Sequence, residues 1–220
     1  MCGIFGSSSF GVFVKAFFAN QERGTFASGT LYTASGNTLI RKNDANYNIT
    51  GQHAWYDLDQ YNMYLGHAQA PTSACREWNA STTHPFDIGD WIVAHNGVLE
   101  NHEQLVKEYK LQNTNQVDSS IIPALLTDRY AGHDIFCISE VAGLLSGTFA
   151  CWLYSKKTGK TYIIRSGSTL YFEPESNTFS SVIIDDVCEQ VVEQGYVYEL
   201  TVEGITKVGE FEQDSPFLIL

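Results

Sequence analysis

Basic side chains are scarce in this sequence of 220 residues: 13 Lys and Arg stand against 25 Asp and Glu, for a net charge of −12. Proteins that bind nucleic acids without sequence preference gain most of their affinity from Lys and Arg on phosphates. Anionic membrane surfaces likewise attract clusters of basic residues. The composition therefore predicts no nucleic-acid partner and no membrane partner, and it predicts that the excess negative charge serves solubility.

Cysteines are few, and they lack the spacing of a disulfide framework or of a zinc site. Their number is odd, and no C-x-x-C pair occurs among Cys2, Cys75, Cys137, Cys151 and Cys188. No apolar run reaches the length of a transmembrane helix, and the first residues lack the charged and apolar regions of a signal peptide. A reducing cytoplasm is the expected setting, because it keeps a thiol usable.

Repeats, low-complexity tracts and Pro- or Ser-rich linkers are missing too, so residues 1–220 are predicted to form a single domain. Helices are predicted at residues 10–20, 118–130 and 135–145, and another helix after Asn101, whose side chain is expected to form a capping box with Gln104. Strands are predicted at residues 2–5, 30–33, 38–41, 64–70, 91–96, 149–154, 161–165, 169–172, 179–184 and 196–202. The second and third of these flank Ser35, Gly36 and Asn37, which predicts a hairpin. Strands at both ends with helices in the middle favour an α+β fold with mainly antiparallel sheets.

Cys2 is the first candidate for chemistry, because removal of Met1 leaves one residue with both a thiol and a free α-amine. An α-amine titrates near 7.7–8.0 and a thiol near 8.5, so the amine can act as the base for its own side chain. Gly3 and Gly6 bracket Ile4 and Phe5, which indicates a buried strand directly after the thiol. The alternative is that Cys2 is only a small apolar residue at a chain terminus.

Asn96 and Gly97 follow the apolar run WIV and form the second candidate. An Asn side-chain amide and a Gly backbone N–H can donate together to the oxyanion that forms during acyl transfer from an amide. The alternative is an ordinary Asn-Gly turn. A tight hairpin should be followed at once by a second strand, whereas residues 98–101 lead into a predicted helix, and this weakens the alternative.

Three histidines, His67, His84 and His95, raise the question of a metal. None has a second ligand at H-x-H or H-x-x-x-H spacing, and no carboxylate motif accompanies them. The sequence therefore predicts no metal site, and each histidine is interpreted as a core residue or as support for a neighbouring site.

Several segments, taken in order, resemble the class II glutamine amidotransferases of the N-terminal-nucleophile hydrolase superfamily, and most of all the glutaminase half of glucosamine-6-phosphate synthase. The landmarks cover nearly the whole chain and are MCGIFG at residue 1, RG at 23, SG at 28, GHAQAPTS at 66, HP at 84, HNGVLENH at 95, VDS at 117, LSGTFA at 145 and RSGSTL at 165. The resemblance implies a four-layer αββα sandwich of two mainly antiparallel sheets, which agrees with the coarse element pattern.

The resemblance also implies catalytic roles and no cofactor. Cys2 is expected to attack the side-chain amide of glutamine, release ammonia and form a thioester, which water then hydrolyses to glutamate. Asn96 and Gly97 are expected to hold the oxyanion, and Arg23 to orient the N-terminus. An ammonia-accepting synthase subunit is the expected partner.

Substrate binding is assigned by the same resemblance to Gln69, Thr72, His84 and Asp118. Thr72 and Asp118 are expected to hold the amino-acid end of glutamine, and Asp118 also suits a plain helix N-cap. Gln69 departs from the family, which has an arginine there for the α-carboxylate of the substrate. A Gln side chain donates hydrogen bonds without charge, so the paired ionic contact is lost; Arg76 is a candidate to replace that charge.

Three functions stay open on this basis. The first is a glutaminase that supplies ammonia to a synthase on another chain. The second is an amidohydrolase of the same fold with a different amide substrate, for which Gln69 is the indication. The third is a non-catalytic subunit that has kept the fold; the presence of Cys2 together with Asn96 and Gly97 argues against it.

Overall fold

The computed structural model describes residues 2–44, 58, 60–70, 78–112, 114, 117–184 and 188–213. The candidate residues Thr72, Cys75 and Arg76 lie outside these ranges. Within the described ranges, no helix combines the length and the apolar character needed to cross a membrane.

The described residues form thirteen strands and four α-helices. The strands are β1 (Gly3–Ser7), β2 (Ala27–Ala34), β3 (Asn37–Asp44), β4 (Met63–Gln69), β5 (Phe86–Ile88), β6 (Trp91–Leu99), β7 (Gly147–Ser155), β8 (Thr161–Ser166), β9 (Tyr171–Glu173), β10 (Thr178–Ser180), β11 (Gln190–Val191), β12 (Tyr196–Thr201) and β13 (Gly204–Glu210). The helices are α1 (Phe10–Asn20), α2 (His102–Glu108), α3 (Ile121–Asp128) and α4 (Asp134–Leu144), with short 3₁₀ turns at Ala80–Thr82 and Asp118–Ser120.

The strands assemble into two sheets whose neighbouring strands all run antiparallel. The first sheet has the order β11-β9-β10-β1-β4-β2-β3 and the second has the order β13-β12-β8-β7-β6-β5. Strand β1 lies in the middle of the first sheet, between β10 and β4. Cys2, which immediately precedes β1, therefore lies in the middle of this sheet. Strand β1 pairs with β4 from Gly3 onward and with β10 from Phe5 onward.

Three apolar clusters separate four layers. Ile4 and Leu65 of the first sheet pack with Ala94 and Trp152 of the second, so one cluster lies between the sheets. A second cluster joins α1 to the outer face of the first sheet, and a third joins the other three helices to the outer face of the second. The Trp152 indole N–H also donates across the inner cluster to Gly66 O at 3.0 Å. The predicted αββα sandwich of two antiparallel sheets is confirmed.

Several local predictions are confirmed and one is wrong. Helix α1 has the predicted bounds, and Ser35 and Gly36, both with positive φ, form the turn of the predicted β2–β3 hairpin. Asn101 precedes α2 as predicted, but its side chain does not cap that helix. It donates to Leu144 O at 2.8 Å and accepts from Ser146 N at 3.0 Å. The Asn101 side chain therefore pairs with backbone groups of a loop that is distant in sequence and not with the helix that follows it. Those backbone groups also need hydrogen-bond partners.

Candidate active site

Cys2 lies at the entrance to β1, with its side chain directed into the space between the sheets. In the pairing of β1 with β4, Gly3 faces Ala68 and Ile4 faces His67. Continuing this register by one residue places Cys2 opposite Gln69, the last residue of β4. Side chains alternate between the two faces of a strand, so Cys2 shares the inner face with Ile4, which is in the cluster between the sheets. Cys2 is half-buried, whereas Cys137, Cys151 and Cys188 are buried.

The pKa values of the three buried cysteines distinguish them further from a nucleophile. Burial raises the pKa of Cys137 and of Cys188 to about 12, and it raises the pKa of Cys151 well above its ordinary value. Since the thiolate is the reactive form, these three side chains are almost entirely unreactive thiols near neutral pH. Their surroundings identify them as core residues.

Asn96 is held close to β1 by Ser181, a residue that no sequence motif predicted. Ser181 Oγ accepts from the backbone N of Ile4 at 3.0 Å and from Asn96 Nδ2 at 3.2 Å. The backbone N of Ser181 donates to Ile4 O at 2.9 Å. Ser181 is fully buried, and it therefore fixes the Asn96 amide against the strand that Cys2 begins. No residue type or spacing in the sequence pointed to this role.

Gly97 continues β6 and does not form a turn. It pairs with Phe149 of β7, and the strand runs on to Leu99. Its φ is +148°, and a Cβ atom at this position would lie 2.0 Å from Thr148 O. Only glycine tolerates both the backbone conformation and this approach. The Asn-Gly turn is thus excluded, and Asn96 and Gly97 present consecutive polar groups from one rigid strand.

Arg23 reaches the same network through a threonine. Its guanidinium donates to Thr169 Oγ1 at 2.6 Å, and Thr169 Oγ1 donates to Ser181 O at 2.9 Å. The adjacent Gly24 lies against β4, because a Cβ there would be 2.3 Å from Ala70 N and from the carbonyl carbon of Gln69. The Arg-Gly pair therefore joins the end of α1, the end of β4 and Ser181. Orientation of the N-terminus by Arg23 stays a prediction.

The histidines are buried within the layers. His67 Nε2 lies 3.2 Å from His95 O, its ring stacks on His84 with centroids 3.9 Å apart, and burial lowers its pKa to about 3. Its Nε2 must carry the proton, because a carbonyl only accepts. His84 also packs edge-on against Phe86. The neutral His67 thus links the two sheets by donating to the backbone of β6.

His84 and His95 also occupy enclosed positions. His84 is 3% exposed, so the structure gives it a packing role, while its substrate-binding role stays a prediction. His95 Nδ1 lies 2.8 Å from Ser119 Oγ, its Nε2 lies 3.3 Å from Thr148 O, and burial lowers its pKa. Across the described part of the chain, no three His, Cys, Asp or Glu side chains are grouped as metal ligands.

Asp118 is tied to the end of β6. Its Oδ2 accepts from Leu99 N at 2.9 Å, and its Oδ1 accepts from Ser119 N at 2.8 Å. Asp118 is the first residue of a 3₁₀ turn and Val117 is the N-cap, so the plain N-cap interpretation is wrong. The carboxylate holds the turn against the strand that carries Asn96. Each carboxylate oxygen accepts more than one hydrogen bond, so a substrate-binding role stays a prediction.

The chain is similar to known proteins in sequence and in fold. The 7-cyano-7-deazaguanine synthase of Sulfolobus acidocaldarius is 25% identical over 147 residues, which are 65% of this chain and 32% of that protein. The glutamine–fructose-6-phosphate aminotransferase (isomerizing) of Symbiobacterium thermophilum is 24% identical, over 94% of this chain and 36% of that protein. The structure of glutamine phosphoribosylpyrophosphate amidotransferase from B. subtilis superposes with a TM-score of 0.73 at 17% identity, over 94% of this chain and 49% of that one.

No protein-family model matches the chain. The chain spans about a third of the length of these two curated relatives. The superposition nevertheless covers 94% of the chain. The chain has the fold of the class II glutamine amidotransferases, as the motifs implied.

A first prediction concerns Ser181, through which the site residues are linked. Ser181→Ala is expected to lower turnover about tenfold with little change in KM, because Asn96 loses the hydrogen bond that orients it and 1.4 kcal/mol corresponds to a factor of ten. Stability should fall by about 1–3 kcal/mol, since the buried N–H of Ile4 loses its acceptor. Steady-state kinetics and urea denaturation of the variant measure both effects.

The matched control is Ser7→Ala, at the other end of β1. Ser7 is fully buried and its Oγ accepts from Ser9 N at 3.0 Å, so this change removes a comparable hydroxyl without touching Asn96. It should lower stability and leave turnover unchanged. Equal losses of turnover in the two variants would mean that Ser181 acts only through stability.

Proposed function

We propose that this chain is a glutamine amidotransferase that uses Cys2, exposed by removal of Met1, to hydrolyse the side-chain amide of glutamine. The proposal is supported above all by the Ser181 network, which joins Ile4 of the Cys2 strand to Asn96. A nucleophile and an oxyanion donor must be held within a few ångströms for acyl transfer. The class II amidotransferase fold and the burial of the other three described cysteines support the same assignment.

The reaction begins with proton transfer from the Cys2 thiol to the α-amine of the same residue. The thiolate attacks the amide carbon, and the carbonyl oxygen becomes an oxyanion. Asn96 Nδ2 carries two N–H donors; Ser181 accepts from one of them, and the second donates to the oxyanion beside the backbone N–H of Gly97. These donors are fixed before the reaction, so they stabilise the transition state without reorganisation.

Collapse of this intermediate breaks the C–N bond. The leaving nitrogen takes the proton held by the α-amine and departs as ammonia, which leaves a thioester on Cys2. A water molecule then gives a proton to the amine and attacks the thioester. A second oxyanion forms at the same donors, and its collapse releases glutamate and restores the thiol. The ammonia is proposed to serve a synthase subunit. The proposed steps use only groups of this chain and water, so the hydrolysis itself needs no cofactor.

The direct test is ammonia and glutamate release from glutamine by protein made without an N-terminal tag. Mass spectrometry of a rapidly quenched reaction should find Cys2 as the acylated residue, and hydroxylamine should convert the thioester into a hydroxamate. Glutamine should be tested beside derivatives of its α-carboxyl group. A folded protein that releases no ammonia from any of these amides contradicts the proposal and supports a non-catalytic subunit.

A further inference from the structure

Gln69 borders the space in front of Cys2. The observed register of β1 and β4 begins with Gly3 opposite Ala68, and its continuation by one residue places Cys2 opposite Gln69. Directly opposite residues of antiparallel strands point to the same face with Cβ atoms roughly 4.5–5.5 Å apart. His67 lies two residues before Gln69 and reaches the second sheet through its bond to His95 O. The side chain of Gln69 therefore points into the gap between the sheets, as that of Cys2 does.

The backbone of Gln69 is fixed on both sides. Gln69 pairs with Ala27 of β2, and its carbonyl accepts from Phe26 N at 3.0 Å. Gly24 packs directly against the same carbonyl group, with no room for a side chain between them. The backbone that carries this side chain is therefore held in place, and the amide group extends from the end of a rigid strand.

The orientation of the amide is set by a carbonyl group. Gln69 Nε2 donates to Thr82 O at 3.4 Å. The reverse orientation would put two acceptors together, since a carbonyl oxygen has no proton to give. The amide oxygen Oε1 is left facing away from Thr82. Gln69 is 1% exposed, and Oε1 is buried without a hydrogen-bond donor among the described residues.

A buried acceptor of this kind is normally paired, so its missing donor indicates what a bound substrate supplies. A free carboxylate has only acceptor oxygens and gains nothing from a second acceptor. At the carboxyl end of glutamine, which the resemblance to class II amidotransferases assigns to Gln69, amidation supplies an N–H that can donate to Oε1. We propose that the site prefers a glutamine whose α-carboxyl group is amidated, with that amide N–H donating to Gln69 Oε1; this rests on the function proposed above.

Three substrates separate charge from hydrogen bonding: L-glutamine, its α-methyl ester and its α-N-methylamide. The ester is neutral and lacks the N–H, whereas the methylamide is neutral and has it. Release of ammonia reports cleavage of the side-chain amide, and release of methylamine would reveal cleavage at the other end. The wild type should show a kcat/KM about tenfold higher for the methylamide than for the ester. The ratio of kcat/KM for the methylamide to that for free glutamine should be larger still.

Two variants test the residue itself. Gln69→Leu keeps a similar volume without the acceptor, so the methylamide should lose its advantage over the ester. Gln69→Arg should shift the preference to free glutamine, mainly through KM, because the carboxyl end is remote from the reacting amide. Circular dichroism and thermal melting test whether each variant is folded. If a variant does not fold, the wild-type ratios of kcat/KM among the three substrates still test the proposal.

The outcomes separate the two proposals. A wild type that releases ammonia but prefers free glutamine overturns the inference about Gln69 and leaves the amidotransferase function intact. The same holds if folded Gln69→Leu keeps the full preference for the methylamide over the ester. Absence of ammonia from all three substrates contradicts the function itself, and the inference fails with it.

Discussion

Substitution of Cys2 by alanine is expected to abolish ammonia release, with a loss of turnover of roughly 10⁴-fold or more. Enzymes accelerate their reactions by about 10⁶-fold or more, and sites that lose their nucleophile keep only the part supplied by binding and oxyanion donors. Alanine is as small as cysteine and also permits removal of Met1, so the variant differs from the wild type only in its thiol. Turnover is measured by ammonia release under saturating substrate.

The matched control for Cys2→Ala is Cys137→Ser. Cys137 lies on α4 on the outer side of the second sheet, and its Sγ donates to Leu126 O at 3.2 Å. A serine hydroxyl can make the same hydrogen bond, so activity should stay close to that of the wild type. A large loss in this control would mean that the assay reports general destabilisation and that the Cys2 result carries no mechanistic weight.

The same prediction has a chemical signature in the wild type. Intact-mass measurement should show the loss of one methionine, because the mechanism uses the α-amine of Cys2. Brief alkylation near neutral pH should modify Cys2 and spare Cys137, Cys151 and Cys188, whose burial raises the thiol pKa and blocks access. A protein that keeps Met1 and is fully active would contradict the N-terminal-nucleophile mechanism, and the result of the alkylation would not change that conclusion.

The parts of the fold that the sequence predicts are those with strong local patterns. Helix α1 follows from its apolar spacing, and the β2–β3 hairpin follows from Ser35 and Gly36 between two strand-like runs. Strands β5, β11 and β13 escape prediction for a physical reason. The first two are only three and two residues long. Strand β13 lies at the edge of its sheet and has no buried residue; its half-buried and exposed residues come in pairs, without the period-two alternation of a strand.

The candidate site shows the same division. Cys2, Asn96 and Gly97 carry chemical signals in their own residue types and neighbours, so the sequence identifies them. Ser181 carries none, because its position is created by the pairing of β10 with β1, which joins opposite ends of the chain. The orientation of the Gln69 amide likewise depends on Thr82 O. Every residue has a backbone carbonyl group, so the residue type at position 82 does not reveal this contact.

Asn96→Ala is expected to lower turnover by roughly 10²–10³, the usual cost of removing one oxyanion donor. Substrate binding should change far less, because the ground-state carbonyl needs this donor less than the oxyanion does. Asn96 makes one side-chain hydrogen bond within the described residues, to Ser181, so stability should fall by only about 1 kcal/mol. Asn96→Asp keeps the shape, removes both donors and adds a negative charge beside the oxyanion, so its loss of turnover should be larger still.

The double variant Asn96→Ala, Ser181→Ala decides how these residues act. If Ser181 contributes to turnover only by orienting Asn96, its removal costs nothing further once Asn96 is gone, and the two effects on turnover are not additive. The stability losses should fall short of additivity by about 1 kcal/mol, because the hydrogen bond that the two residues share is lost in either single variant. Loss of the acceptor for Ile4 N belongs to Ser181→Ala alone. Additive losses of turnover would show that Ser181 affects the nucleophile strand independently. Unchanged turnover in folded Asn96→Ala would remove Asn96 from the oxyanion site altogether and leave Gly97 as its remaining candidate donor.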